Sequence, residues 1–430
     1  MELLIQILLT MTVIFALARI GSTVFGKLGL PGLIGEIIVG VILANVAGGA
    51  FLHDVLALDV ENRNTEYNII YILAELGVIF LLFSVGLETK VKDLLGSGKS
   101  AFFCAFLGVV LPFVAGLSLI LAVGGYDMNS AMFMGAAMVA TSVGITARII
   151  KDMKLMDVKE SRIIIAAAVI DDVLGMVVLA IVKGMASGEG DLEILDIVII
   201  VVKAVAFVLA AIAFAKWCVP RIYNYLDGRN RRIIASGKVP YSFNKLIFAI
   251  IVCLGMAYLA EYIGLAAIIG AFLAGMMFAD YAWEWDLEHK IESITTFLIT
   301  FFFVNVGLQV DISAMSSTSV ILLTAGILVL ALLTKYIGCG LGAKIGDKSI
   351  DKSSFNIIGV GMMPRGEVGI IIASIGLHTI VNGESVMDPE LYGVVVMMSV
   401  ITTIVAPPLL SILFKKKYKE EYTIMADDKL

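Results

Sequence analysis

Thirteen apolar segments, most near twenty residues long, fill this chain and leave only short polar connections between them. They lie near 3–24, 30–51, 68–87, 101–123, 129–150, 162–185, 194–219, 241–261, 264–282, 291–310, 318–342, 354–378 and 390–414. In hydrocarbon the backbone has no water to bond, so an apolar run of about 20 residues commits the chain to a spanning helix. Composition agrees. The chain is 60% hydrophobic and 16% charged, whereas a soluble domain is roughly 45–50% apolar and about 25% charged. The expected fold class is an all-α polytopic membrane protein forming a single integral unit. The N-terminal MELLIQILLTMTVIF carries Glu2 and no basic start, so it reads as a first span rather than a cleaved signal.

Loop charge sets the orientation. With the N-terminus outside, nearly all loop lysines and arginines become cytoplasmic, including the basic set from Lys216 to Lys245 and the tail at 415–430. Only Arg63 and Lys183 then fall outside. One loop dissents: WEWDLEHK at 283–290 is acidic, although the count places it inside. No basic patch with interleaved aromatics suggests a nucleic-acid partner. Cys104, Cys218, Cys253 and Cys339 lie in or beside apolar runs at spacings that fit neither a zinc site nor a disulfide framework.

Two stretches align without gaps, LGLPGLIGEIIVGVILAN (28–45) and IGLAAIIGAFLAGMMFAD (263–280). The spans after them end alike, FSVGLE (83–88) and VNVGLQ (304–309). The copies are seven spans apart. That odd displacement makes the second copy cross the bilayer in the opposite sense, as in the inverted repeats of secondary transporters. Repeats of five helices, spans 2–6 and 9–13, make spans 5 and 12 equivalent. Span 5 groups Thr141, Ser142, Gly144 and Thr146 in mid-run; span 12 holds Pro364 among Gly359, Gly361, Gly366 and Gly369. Both patterns predict broken helices, whose free half-helix ends face ions near the midplane.

The ionisable residues inside the apolar runs are Glu36, Glu75, Asp171, Asp172, Lys335, Arg365 and Glu367. Such residues are costly in lipid and mark function. Asp171 and Asp172 are helical neighbours, so their side chains diverge by about 100°. One is expected to face a hydrated cavity and the other a basic partner, with Lys335 the candidate. Arg365 and Glu367 flank the break in span 12 and either neutralise each other or reach separate partners. Glu36 and Glu75 are expected to make structural pairs. Thr141, Ser142 and Thr146 supply oxygens to a cation or satisfy unwound backbone.

In this order, LGLPGLIGEIIVGVIL, LAELGVIFLLFSVGLE, TSVGITARI, AAVIDDVLG, IGAFLAGMMFA, TKYIG and PRGEVG resemble the sodium/proton antiporters of the second cation/proton antiporter family, especially its NapA-like group. The likeness spans most of the chain. It implies a homodimer whose protomers each have a scaffold, about 1–60 and 190–285, and an ion-binding core, about 68–187 and 290–414. Two broken helices would cross in the core. Asp172 matches the family's ion-carrying aspartate, Asp171 the aspartate paired with the core lysine, and Lys335 that lysine. Thr141 and Ser142 match the first break, and Glu367 a core glutamate near the site. The transported Na+ would meet Asp172, Asp171 and Thr141, with Arg365 and Glu75 in core charge pairing. No cofactor beyond the transported Na+ and H+ is implied. The chain ends soon after span 13, so no fused nucleotide-binding domain of the potassium-efflux type is expected.

The expected function is electrogenic exchange of Na+ (or Li+) for protons in the plasma membrane, by elevator-like alternating access. K+/H+ or mixed exchange on the same scaffold is the alternative. An enzyme is not expected: an intramembrane aspartyl protease needs carboxylates facing each other from different helices, and here they are consecutive. Inverted repeats also favour a carrier over a channel.

Overall fold

The computed structural model describes residues 2–45, 69–90, 98–186, 199, 202–217, 219–221, 244–310, 318–381 and 384–419. Each of the thirteen apolar segments holds a helix or a helix pair. In chain order these are α1 (Glu2–Lys27), α2 (Gly32–Asn45), α3 (Ile69–Leu87), α4 (Gly98–Val123), α5 (Met128–Ala137), α6 (Val143–Asp152), α7 (Lys159–Ala186) and α8 (Val202–Arg221). There follow α9 (Lys245–Tyr262), α10 (Ala267–Phe278), α11 (Leu287–Leu308), α12 (Thr318–Gly346), α13 (Lys352–Gly361), α14 (Glu367–His378) and α15 (Pro389–Lys417). A two-residue antiparallel hairpin pairs Ile380 with Ser385 and Val381 with Glu384. Among the described residues nine helices are long and apolar enough to cross a membrane. The helix α10 is shorter than its apolar segment suggests, and spans 5 and 12 are helix pairs, α5–α6 and α13–α14.

The chain divides into two compact units. The smaller comprises Leu76–Gly96 and Leu195–Ile299. In it Gly86 of α3 lies against Gly275 of α10, with no room for a Cβ on either. Phe278 packs edge-on against Phe83 and Phe248. The acidic connection from α10 to α11 is a turn between separate helices. Asp286 there pairs with Lys290 at 3.3 Å.

The larger unit comprises Met1–Glu75, Ser97–Ile194 and Thr300–Leu430. In it Gly40 of α2 lies against Gly307 of α11, again with no room for a Cβ. The two glycine contacts use equivalent positions of the repeat: Gly40 corresponds to Gly275 and Gly307 to Gly86. The repeat also reaches back one turn. Gly29 and Gly264, after α1 and α9, both have positive φ, 76° and 88°. Leu30 and Leu265 donate back to Phe25 and Ala260 in the same closing turn, a glycine C-cap.

The equivalence continues through the broken helices. Both α5 and α13 are 10 residues long and start from an aspartate N-cap, Asp127 or Asp351, that accepts from the backbone of Ser130 or Ser354. Both then break for five residues, 138–142 and 362–366. At the crossing the Ser142 amide donates to the Pro364 carbonyl at 2.8 Å, and the Thr146 hydroxyl to the Gly361 carbonyl at 2.6 Å. The two breaks thus satisfy part of each other's backbone hydrogen bonding.

Candidate functional site: the crossing of the broken helices

The helices α4 and α12 approach so closely that a Cβ on Gly338 would lie 2.7 Å from the Leu107 carbonyl. Small residues permit such contact between membrane helices. This approach delivers Lys335 of α12 into the crossing, fully buried. Its Nζ donates to Asp171 Oδ1 at 2.7 Å, to the Gly108 carbonyl at 2.9 Å and to the Val139 carbonyl at 2.8 Å. An ammonium has three protons, so all are used. Asp171 of α7 is also fully buried. Its neighbour Asp172 is half-buried on the adjoining face of the helix.

Arg365, in the second break, is fully buried as well. Its Nη1 donates to the carbonyls of Val139 and Ala140, both at 3.0 Å, and Nη2 to that of Ala331 at 3.2 Å. The mutual neutralisation expected with Glu367 falls on a side chain outside the described residues; among those residues the hydrogen-bond partners of the Arg365 guanidinium are carbonyls. The cause is the first break, which leaves carbonyls at 139 and 140 with no helical donor. Lys335 and Arg365 share the Val139 oxygen, so two cations bracket one unwound strand. The Arg365 backbone is itself held by α15: its amide donates to Thr402 Oγ1 at 3.1 Å, and Thr403 Oγ1 donates to its carbonyl at 2.6 Å.

Around this frame several buried oxygens stand without a hydrogen-bond partner among the described residues: Asp171 Oδ2, Thr141 Oγ1, Ser142 Oγ and Ser399 Oγ. Buried polar atoms are ordinarily satisfied. Carboxylate and hydroxyl oxygens are the donor types that small hard cations take. Thr146, by contrast, is committed to the Gly361 carbonyl. Glu367 opens α14 at the end of the second break; its side chain lies outside the described residues. Glu75 is half-buried on α3. The structural ion pair expected for Glu36 is absent among the described residues: this buried carboxylate on α2 is hydrogen-bonded by Ser22.

Residues that sequence reasoning overlooked complete the site. Thr402 and Thr403 sit in SVITTIV (399–405), which aligns with AVIDDVL (168–174). The repeat thus extends to the aspartate pair itself, with threonines in the second copy. Below the site, Glu160 of α7 is 2% exposed. It accepts from Ser354 Oγ at 2.5 Å, Lys417 Nζ at 2.6 Å and Tyr418 Oη at 2.6 Å. That cluster ties together one end of α7, α13 and α15. Lys417 had been readable only as part of a basic tail.

Inverted repeats, two broken helices that cross and a buried acid–base pair at their crossing define an ion-coupled secondary transporter of the antiporter type. The chain matches the family of the transmembrane sodium/hydrogen exchangers over residues 12–416, and it belongs to that family. It is 31% identical to the high-affinity Na+/H+ antiporter NhaS3 of Synechocystis, covering 96% of this chain and 91% of that one. It is 31% identical to the Na+/H+-K+ antiporter GerN of Bacillus cereus, over 91% of this chain and 92% of that one. The Na+/H+ antiporter of Enterococcus hirae is 30% identical, over 94% and 97%. The fold is similar to that of the sodium proton antiporter MjNhaP1 of Methanocaldococcus jannaschii, with a TM-score of 0.63 and 16% identity over 97% of this chain and 98% of that one.

Proposed function

We propose that this protein exchanges Na+ for protons across the plasma membrane. The observation that carries the reading is the buried Asp171–Lys335 pair, 2.7 Å apart, next to half-buried Asp172 and the unpartnered oxygens of Thr141 and Ser142. Asp172 binds the cation directly, with Thr141, Ser142 and Asp171 Oδ2 completing its shell. Placing Na+ beside two carboxylates competes with the Lys335 ammonium for the same charge, so Lys335 gives up its proton and Asp172 its own. The proton-loaded and cation-loaded sites exclude each other, and their titration belongs to the coupled set. More than one proton then moves per cation, which makes the exchange electrogenic.

Residues 68–187 and 290–414 act as the core that carries the site past a scaffold of residues 1–60 and 190–285, in a homodimer with the N-terminus outside and the C-terminus in the cytoplasm. The loop-charge asymmetry supports that orientation. The similarity to GerN favours one second reading, K+ as an additional substrate. Fluorescence dequenching in proteoliposomes, with Na+, Li+ and K+ across pH, tests the whole. Na+-dependent proton movement that responds to membrane potential and vanishes in Asp172→Asn is expected. Unchanged exchange in that variant would overturn the assignment.

A further inference from the structure

The hydroxyls of Thr141 and Ser142 are buried, and among the described residues no hydrogen bond fixes them. Their position is therefore set by the backbone of the first break, 138–142. A regular helix would hold that backbone from within; here the holds come from other elements. The Ser142 amide donates to the Pro364 carbonyl at 2.8 Å. The Val139 and Ala140 carbonyls each accept from Arg365 Nη1 at 3.0 Å, and Val139 also accepts from Lys335 at 2.8 Å. Gly366 lies so close that a Cβ there would sit 2.7 Å from Ser142 Oγ. Pro364, Arg365 and Gly366, consecutive in the second break, thus hold the strand that presents both hydroxyls.

That second break is anchored by α15. The Arg365 amide donates to Thr402 Oγ1 at 3.1 Å, and Thr403 Oγ1 donates to the Arg365 carbonyl at 2.6 Å. Thr402 Oγ1 in turn donates to the Ser399 carbonyl at 2.9 Å, so its one proton is used and its lone pairs are left for the amide. Both threonines are fully buried. The repeat shows that this anchorage is one-sided. The positions equivalent to Thr402 and Arg365 are Asp171 and Thr141. Asp171 makes no such bond: its Oδ1 accepts from Lys335, and its Oδ2 has no hydrogen-bond partner among the described residues. The threonine clamps the break of its own half. The aspartate leaves the first break to be held from across the crossing.

We propose that Thr402 and Thr403 are positioning residues that set the preference for Na+ over K+: through Arg365 they hold the strand of Thr141 and Ser142 at a fixed spacing. The inference rests on the cation-site reading above. Cations of like chemistry are told apart by cavity size and ligand flexibility. Ligands locked by supporting hydrogen bonds do not spread to take the larger ion. Two arms test it. In the first, proton flux driven by Na+ and by K+ at equal, subsaturating concentration is compared in proteoliposomes for the parent, Thr402→Val, Thr403→Val, Thr402→Ser and Thr403→Ser. Each valine keeps the shape and removes the hydroxyl, so the Na+ to K+ rate ratio is expected to fall about fivefold, while each serine keeps the parent ratio. A ratio unchanged by valine, equal losses for both ions as a merely structural role would give, or a serine variant that behaves as the valine one, overturns the proposal. In the second arm, amide hydrogen exchange is followed by mass spectrometry in detergent over peptides covering 136–145. Faster exchange there in both valine variants, with the peptides of α4 and α12 unchanged, is expected. Exchange equal to the parent's refutes the clamp. This arm needs no transport. If the parent moves no cation, the function above fails and the preference with it, whereas equal exchange rates remove the clamp alone.

Discussion

The two broken-helix halves of this protein share their secondary structure nearly residue for residue and differ in the chemistry at the crossing. In the first half the break ends in Thr141 and Ser142, and the following helix carries Asp171–Asp172. In the second half the position equivalent to Thr141 is Arg365, and the following helix carries Thr402–Thr403. One half therefore holds hydroxyls and acids with unsatisfied oxygens. The other holds a fixed guanidinium whose Nη groups all find carbonyls, with a backbone clamped by threonine hydroxyls. Among the described residues the first half leaves acid and hydroxyl oxygens unpartnered, whereas in the second the unpartnered atoms are Arg365 Nε and Ser399 Oγ. Arg365 acts as a tethered cation on the strand that Lys335 also grips.

The sharpest way to break this comparison is to exchange roles across it. Asp172→Asn should abolish Na+-driven proton flux in proteoliposomes. Thr403→Val, at the equivalent position, should retain flux within about tenfold, since it removes one neutral hydrogen bond. Equal losses in both would mean the halves are not chemically divided. Lys335→Met comes next. It leaves Asp171 fully buried without its counterion, which should cost about 3–5 kcal/mol of stability, read as a lowered melting temperature in detergent. The further change Asp171→Asn should restore most of that stability while leaving exchange impaired. Arg365→Met should be milder in stability, about 1–3 kcal/mol for the abandoned carbonyls. It should slow exchange while leaving the Asp171–Lys335 pair in place.

The smallest effect concerns the two N-caps at opposite ends of the crossing. The Ser354 side chain, the Ser354 amide and Lys417 hold the Asp351 carboxyl below its ordinary value. At Asp127 burial pushes upward, but hydrogen bonds from Ser130 and Asn129 outweigh it, and the net shift is also downward. A depressed carboxyl contributes stability that is complete above its unfolded value and is lost as pH falls through the folded one. A change of pH near neutrality should therefore leave the caps' contribution to melting intact, and that contribution should begin to be lost only below about pH 4. Asp351→Asn keeps a good cap and should flatten that acid limb. An unaltered limb would assign acid sensitivity to other groups.

Much of this could be read before any coordinates. The apolar segments, both breaks and the aspartate pair are legible because hydrocarbon leaves the backbone no alternative to helix, and because proline, glycine and hydroxyl residues mark where a helix cannot continue. The likeness of 28–45 to 263–280 announced the repeat, although the match of AVIDDVL to SVITTIV passed unnoticed because its acids had become threonines. Which side chains meet was another matter. Lys335 and Asp171 are 164 positions apart, and Arg365 reaches carbonyls that no periodicity reveals.

Helical pattern is local: 3.6 residues per turn names a face without naming the neighbour that covers it. The amino-acid order alone determined an inverted, membrane-spanning helical protein with acids at its middle. Only tertiary packing decided that Asp171 receives the lysine, that Arg365 reaches the carbonyls of an unwound strand, and that Glu36 is buried beside Ser22. Those outcomes depend on how closely glycine-lined helices approach, and that distance is set jointly by residues far apart in the chain.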